Sequence, residues 1–426
     1  MTINTRRLCA AGFVAAWAIG CAAAAPLSAP PSAPTGLSSA IDLPAAIRLA
    51  FEQPRLRAAS FDAEAGAAAV EQAGHYPNPT LEYLREGEQA GTRTTTVQIN
   101  QPIELGGKRQ ARVALAASAA ALAQGELAAL RQAARADAIA AYAAVLVAQE
   151  RQRLAATLAE LAGNSITVAA RQVAAGKVSP IDATRARLAA VDAGMELSIA
   201  TADLAVARTR LGALIGRPAE TLQLASDGMA SPPALKPLAT LLAEARDAMP
   251  VRLARTQLAT QEAQTQVERA ARMPDLTLSV GTQKTDDAGR RQAVLGVSLP
   301  LPLFNRNQGN LLAALRRSDK AREEVAAAEV AFGADLTAAH TRFEQARNEA
   351  LLLRTDVIPS AESAYALTLK GYEHGKFAFL DVLDAQRTWA RIQARQWAAL
   401  GEAWRAYADV ARLAGAAIEQ EQGKQP

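Results

Sequence analysis

Ala175-Gly176-Lys177-Val178-Ser179-Pro180-Ile181-Asp182 returns 199 residues later as His374-Gly375-Lys376-Phe377-Ala378-Phe379-Leu380-Asp381, each time a Gly-Lys turn followed by a helix start. Two further landmarks recur in the same order. Gly74-His75-Tyr76-Pro77-Asn78-Pro79-Thr80-Leu81 corresponds to Ala271-Arg272-Met273-Pro274-Asp275-Leu276-Thr277-Leu278 at an offset of 197. Gln101-Pro102-Ile103-Glu104-Leu105-Gly106-Gly107-Lys108-Arg109-Gln110 corresponds to Leu299-Pro300-Leu301-Pro302-Leu303-Phe304-Asn305-Arg306-Asn307-Gln308 at 198. Three ordered matches that drift by single residues mean one unit written twice, and a repeat of this size decides the fold before any single element does. The units are expected over 41–216 and 238–415, with a Pro-rich linker over 217–237 and a tail over 416–426.

Each unit reads alike. A helix is expected first, over 43–75 and over 238–272, ending before a proline. Two short runs follow, 80–86 with 94–101 and 275–284 with 291–299. Leu276, Leu278 and Val280 alternate with Thr277 and Ser279, while Ala293, Leu295, Val297 and Leu299 alternate with Val294, Gly296 and Ser298. Period two over about 8 to 10 residues is the strand signal, and also the length of a transmembrane β-strand. Long helices then run over 107–175 and 309–373. Leu336, Phe343, Ala350 and Val357 recur at seven, as do Leu383, Ala390, Trp397, Trp404 and Ala411, so these helices pack side by side along their length. About 65 residues at roughly 1.5 Å each reach on the order of 100 Å. After each Gly-Lys turn the chain comes back, over 182–214 and 381–413.

Composition agrees with this division. Half of the 426 residues are hydrophobic but only 4% are aromatic, so alanine and leucine carry the apolar weight, which favours helices over sheets. The net charge of +4 comes from dispersed basic residues and gives no argument for nucleic acid. With only Cys9 and Cys21, and with His75, His340 and His374 far apart, no disulfide framework, thiolate zinc site or Cys-His nucleophile can be built. No residue constellation supports an enzyme, and neither a cofactor nor a metal site is expected.

Arg6 and Arg7, the apolar run 8–20 and the small residues after it form a secretory signal over 1–20. Its removal leaves a net charge of +2. Ala18-Ile19-Gly20-Cys21 is an imperfect lipobox, so Cys21 is either a lipidation site or a cysteine that sits by the cleavage site. Residues 21–40 form a Pro/Ser-rich tether. No later segment reaches 18 consecutive apolar residues without charge, so membrane residence would be as a β-barrel. Four strands cannot close on themselves in lipid, because open edges are excluded and single-chain barrels start at about eight strands. Two chains would give eight strands and three would give twelve, with the helices projecting from one side.

The duplicated strand-helix layout and the tip Gly371-Tyr372-Glu373-His374-Gly375-Lys376-Phe377-Ala378-Phe379-Leu380-Asp381-Val382-Leu383-Asp384-Ala385-Gln386-Arg387 resemble the TolC family of outer membrane efflux proteins. The stretches 101–109 and 300–309 are similar to those of its heavy-metal branch. The resemblance implies an α+β membrane protein: a homotrimer with a twelve-stranded outer membrane β-barrel, four strands per chain, continued by a long periplasmic α-helical tunnel. It further implies a Gram-negative host, contact with outer membrane lipid, a periplasmic adaptor (membrane fusion protein) and an inner membrane pump of the resistance-nodulation-division (RND) class. The expected function is a passive conduit for heavy-metal cations, of the Co/Zn/Cd/Ni or Cu/Ag class. The alternatives are a drug-efflux or type I secretion channel and, from another class, a periplasmic coiled-coil scaffold.

Candidate working residues follow. Asp381 and Asp384 lie on one helix face, where they either cap a helix start or, carried over from the family, form carboxylate rings at a periplasmic gate. Tyr372 and Asp182 match family positions whose mutual hydrogen bonding holds the tip closed; Phe377 stands where an arginine is expected, which shifts closure toward hydrophobic packing. Gly176, Lys177, Gly375 and Lys376 are turn residues and, by the resemblance, adaptor-contacting tips. Pro102, Gly106 and Gly107 form a barrel-to-tunnel corner rather than a phosphate loop, since Arg109 replaces the Ser/Thr of that motif; Pro300, Pro302 and Phe304 form the corresponding corner. Trp389, Trp397 and Trp404 belong to helix packing.

Overall fold

The computed structural model describes residues 40–87, 93–176, 178–224, 233–244, 248–285 and 290–415. The tether, the linker residues 225–232, Lys177 and the tail over 416–426 lie outside these, as do the signal and Cys21. In chain order the elements are α1 (Leu43–Ala50), α2 (Pro54–Ala73), β1 (Thr80–Glu86), β2 (Thr94–Ile103), α3 (Lys108–Ala174), α4 (Pro180–Ile215), α5 (Leu238–Glu244), α6 (Met249–Ala270), β3 (Leu276–Thr285), β4 (Arg291–Ser298), α7 (Gln308–Leu352), α8 (Ile358–Glu373) and α9 (Phe379–Ala414).

Proline breaks three helices that the apolar pattern reads as continuous. The expected helix over 43–75 divides at Pro54, whose ring excludes the preceding residue from helical geometry, and α1 gains its own cap from Asp42, whose Oδ1 accepts from Ala45 N at 2.7 Å. The counterpart over 238–272 divides ahead of Pro250, which sits in the first turn of α6. The helix over 309–373 widens into a π-turn at Leu353–Val357 just before Pro359. A proline lacks the N–H for the helical ladder and crowds the carbonyl four residues back, and a wider turn relieves both.

The four strands form one antiparallel sheet in the order β1-β2-β3-β4. Its central ladder, from Thr94↔Thr285 to Ile103↔Leu276, joins a strand of the first unit to a strand of the second. Among the described residues neither β1 nor β4 has a second strand partner.

The main core lies where α3, α4, α5, α7 and α9 converge. Leu336 and Phe343 of α7 are fully buried there with Val145, Leu211, Leu241 and Val410, and the Phe343 ring lies 6.2 Å from that of Tyr407. Away from this cluster the helices meet through small side chains. Ala148, Ala155, Ala162 and Ala169 of α3 recur at seven and are all buried, the spacing of a seam between helices that run side by side. Trp404 packs edge-on against Tyr407, and Trp389 stacks on Tyr365.

Candidate functional site

Register places every strand residue on one of two faces. Leu81, Ile99, Val280 and Leu295 pair across the sheet in one row; Tyr83, Val97, Thr282 and Ala293 form the next. These side chains point outward into solvent, Leu81 at 74% exposure and Leu295 at 80%. The alternate residues make a polar face. There Glu82 accepts from Gln98 at 2.7 Å and Asn100 at 2.8 Å, and Gln283 donates to Thr96 at 3.3 Å. An isolated sheet in water would bury its apolar face, so this pattern suits a lipid exterior and a wet interior.

Polar locks join sheet to helix. Gly106 and Gly107 both adopt positive φ, and a Cβ on Gly106 would collide with Met273. Lys108 then opens α3 with its Nζ 2.7 Å from Asp275 of the second unit. A lysine engaged in this way is a strut, not a phosphate ligand. Arg112 pairs with Glu104, and Arg109 lies 4.5 Å over the Tyr76 ring. Pro102 sits inside β2 opposite Thr277, two residues beyond the last β1 pair, Thr80↔Asn100. Pro300, Pro302 and Phe304 occupy the connection from β4 to α7, with the Phe304 ring 91% exposed. Asn307 takes the left-handed conformation there, with φ 56°, and donates to the Glu268 carboxylate at 2.7 Å. Sequence reasoning missed Asp275, Glu268 and Asn307. The run Asn305-Arg306-Asn307 was the available signal, since asparagine tolerates positive φ.

At the opposite end lie the two helical hairpin tips. Gly176 and Gly375 both have positive φ, 67° and 71°. Around Gly375 the N–H of Lys376 reaches Gly371 O at 2.8 Å and that of Gly375 reaches Tyr372 O at 2.9 Å, the paired bonds of a glycine helix stop. The Phe377 ring lies over Gly371, in the space that a Cβ there would need. Asp381 caps α9, its Oδ2 accepting from Ala378 N at 2.8 Å, while Asp384 is exposed one turn on and pairs with no described residue.

Within the chain Tyr372 does not bond Asp182; its hydroxyl donates to Gln172 Oε1 on α3, and its ring lies 5.7 Å from Phe379. Asp182 instead accepts from Arg185, one turn along its own helix, at 3.3 Å. Burial pushes the Tyr372 phenol above its ordinary value, the Gln172 bond works against this, and the nearby Asp182 charge adds to it. Asp182 is therefore close enough to be felt, but the bond itself links α8 to α3. Nearby, α3, α4 and α9 border a groove of about 390 Å³ whose charged lining includes Arg151, Asp192, Glu196, Arg387 and Arg391.

His340 meets Lys236 O at 3.1 Å and His374 meets Lys370 O at 2.7 Å, so both rings serve backbone carbonyls. Among the described residues no group of three His, Cys, Asp or Glu is arranged to hold a metal ion.

The family profile described as outer membrane efflux protein matches residues 48–217 and 241–416. Over 387 residues, 90% of this chain and 92% of the relative, the sequence is 39% identical to the cobalt-zinc-cadmium resistance protein CzcC of Cupriavidus metallidurans. It is 28% identical to the nickel and cobalt resistance protein CnrC of the same organism, covering 78% of this chain and 77% of CnrC. Among solved structures, a membrane protein from Pseudomonas aeruginosa superimposes with a TM-score of 0.76 at 21% identity, covering 88% of this chain and 90% of that one. CusC superimposes at 0.71 and 16% identity, covering 87% and 91%.

Proposed function

We propose, from the premise that this chain belongs to the outer membrane efflux protein family, that it is the passive outer membrane channel subunit of a tripartite RND-type efflux system exporting heavy-metal cations. The observation that carries this reading is the four-stranded sheet with an exposed apolar face, a polar reverse face and two open edges, joined by tight corners to helices on the order of 100 Å long. Lipid tolerates no open edge, so β4 of one chain pairs with β1 of the next, and an even strand count keeps every seam antiparallel. Three chains close a twelve-stranded barrel. The long helices then lie in the periplasm. By length and composition α3 is apolar enough to cross a membrane, but it is over three times too long for one crossing of about 30 Å. Its exposed small side chains are the seam against the neighbouring chain.

In this assembly Asp381 and Asp384 of three chains ring the narrow end, and the Tyr372–Gln172 bond with Phe377 over Gly371 holds each tip together. Gly176, Lys177, Gly375 and Lys376 meet a periplasmic adaptor bound to an inner membrane pump. The metal class is supported by the resemblance to CzcC and CnrC, named for cobalt, zinc, cadmium and nickel resistance. Cargo selection is assigned to another subunit, because among the described residues no group of three His, Cys, Asp or Glu is arranged to hold a metal ion.

The deciding experiment combines fractionation, planar-bilayer conductance and a deletion strain. Outer membrane partition as a heat-resistant oligomer, ion conductance, and loss of cobalt, zinc or cadmium tolerance without loss of drug tolerance are expected. Drug sensitivity alone would replace the metal assignment, and a non-conducting soluble protein would overturn the channel. Bulky substitution at both Gly176 and Gly375 is expected to abolish co-purification with the adaptor.

A further inference from the structure

At the end of the sheet away from the helices, the outward face stops being apolar. Arg85 pairs with Thr95, Thr95 with Lys284, and Lys284 with Arg291, so one register row reads cation, hydroxyl, cation, cation across all four strands. Paired residues of an antiparallel ladder share a face, and this row is two residues, about 6.6 Å, beyond the row of Tyr83, Val97, Thr282 and Ala293. Arg85, Lys284 and Arg291 are exposed, and none bonds a described residue. Glu86, the acid at this end of the ladder, alternates to the opposite face. Asp286 and Asp287 of the β3–β4 connection lie outside the described residues.

Directly opposed like charges destabilise a strand pair unless something neutralises them. Here they stand at the rim of the outward apolar face, with strand spacing near 4.8 Å setting Lys284 about 5 Å from Arg291 and about 10 Å from Arg85. We propose that this row binds the phosphate groups of phosphorylated lipid headgroups in the outer leaflet. The inference rests on the barrel reading, because that reading puts the row at the exterior rim of the lipid-facing surface. Acyl chains lie against Leu81, Ile99, Val280 and Leu295, while the phosphates meet Arg85, Thr95, Lys284 and Arg291. A free phosphate gains only the second of these contacts, so the row is assigned to lipid.

The test uses the full-length channel in detergent, titrated with bisphosphorylated lipid A, with lipid A stripped of its phosphates, and with inorganic phosphate. Conductance of every sample is read in parallel. Lipid A is expected to raise the melting temperature of the oligomer, and the other two are not. In the triple variant Arg85→Gln, Lys284→Gln, Arg291→Gln the affinity for lipid A falls about a hundredfold, at about fivefold per near-surface cation. The single Lys284→Gln variant, retaining the fold by its smaller change, loses about fivefold. Unchanged affinity in a conducting triple or single variant overturns the proposal and leaves the channel standing. Equal stabilisation by inorganic phosphate or by stripped lipid A also overturns it. Absence of conductance in the unmodified protein refutes the channel reading instead.

Discussion

Gly281 and Gly296 allow the seam between the two units to be tested with one added methyl group. Both lie on the polar face, on adjacent strands, and neither has a positive φ, so alanine meets no backbone penalty at either site. They differ in clearance. A Cβ on Gly281 would stand 2.6 Å from Gln98 Cβ and 2.8 Å from Gln98 Cα, and against the Val97 carbonyl, all of it β2 backbone or its first side-chain atom. A Cβ on Gly296 would meet only the Ser279 side chain, its Cβ at 3.4 Å and its Oγ at 3.8 Å. Gly281→Ala must therefore push β3 away from β2, at a cost of about 1 to 3 kcal/mol per chain, the usual range for overpacking. Gly296→Ala should be neutral or stabilise by up to about 1 kcal/mol by narrowing the unfolded ensemble. The assay is the loss of the heat-resistant oligomer on semi-native gels, with far-ultraviolet circular dichroism as a second probe. Gly281→Ala is expected to melt several degrees below the parent, since each kcal/mol shifts a melt by a few degrees. Gly296→Ala should melt with the parent or above it. Equal melting of both variants would refute the tight β2–β3 register.

Replacing Asp381 and Asp384 together by alanine should raise bilayer conductance and weaken block by multivalent cations; unchanged conductance and block would leave Asp381 only as the cap of α9, worth about 1 kcal/mol. Phe343→Ala should cost about 3 to 5 kcal/mol by opening a cavity in the main core, read by thermal melting of the helical signal. Burial pushes the Tyr142 phenol up to about 12 while its hydroxyl donates to Ile41 O at 3.0 Å. A raised folded-state value means that this stability is fully present below the ordinary value of 10 and is lost as pH climbs from 10 toward 12. Tyr142→Phe should lose about 1 kcal/mol at neutral pH and unfold less steeply over that alkaline window, followed by circular dichroism.

The fold was largely legible because its signals are periodic. Alternation placed β1 to β4 within two residues of their observed ends, and heptads placed Leu336, Phe343 and Trp404 in buried positions. Pro54 and Pro250 were visible too, yet the apolar periodicity around them outweighed the break. The tip chemistry was less readable. Tyr372 and Gln172 are 200 positions apart, and their pairing depends on how α8 leans on α3, which no local pattern encodes. The Lys108–Asp275 strut is of the same kind, a contact between units made only once the sheet has joined them. Asn307 precedes α7 in the left-handed conformation that Gly107 takes before α3, although the 198-residue offset sets Asn307 against Arg109, so a search for glycine alone passes over the second corner.

The two open edges of the sheet carry a genetic consequence. In the proposed ring each chain lends β1 to one neighbour and β4 to the other, so a folded chain with one damaged edge spoils a seam it shares with a sound chain. A cell holding both alleles would build mixed rings, and any ring with a single damaged member leaks or fails to insert. Changes that keep the chain from folding, such as those in the core around Phe343, remove it from assembly and should be recessive. Changes on the outer edges of β1 and β4 that leave the chain folded should be dominant. The position of a mutation along the sheet, more than its severity, then sets its pattern of inheritance.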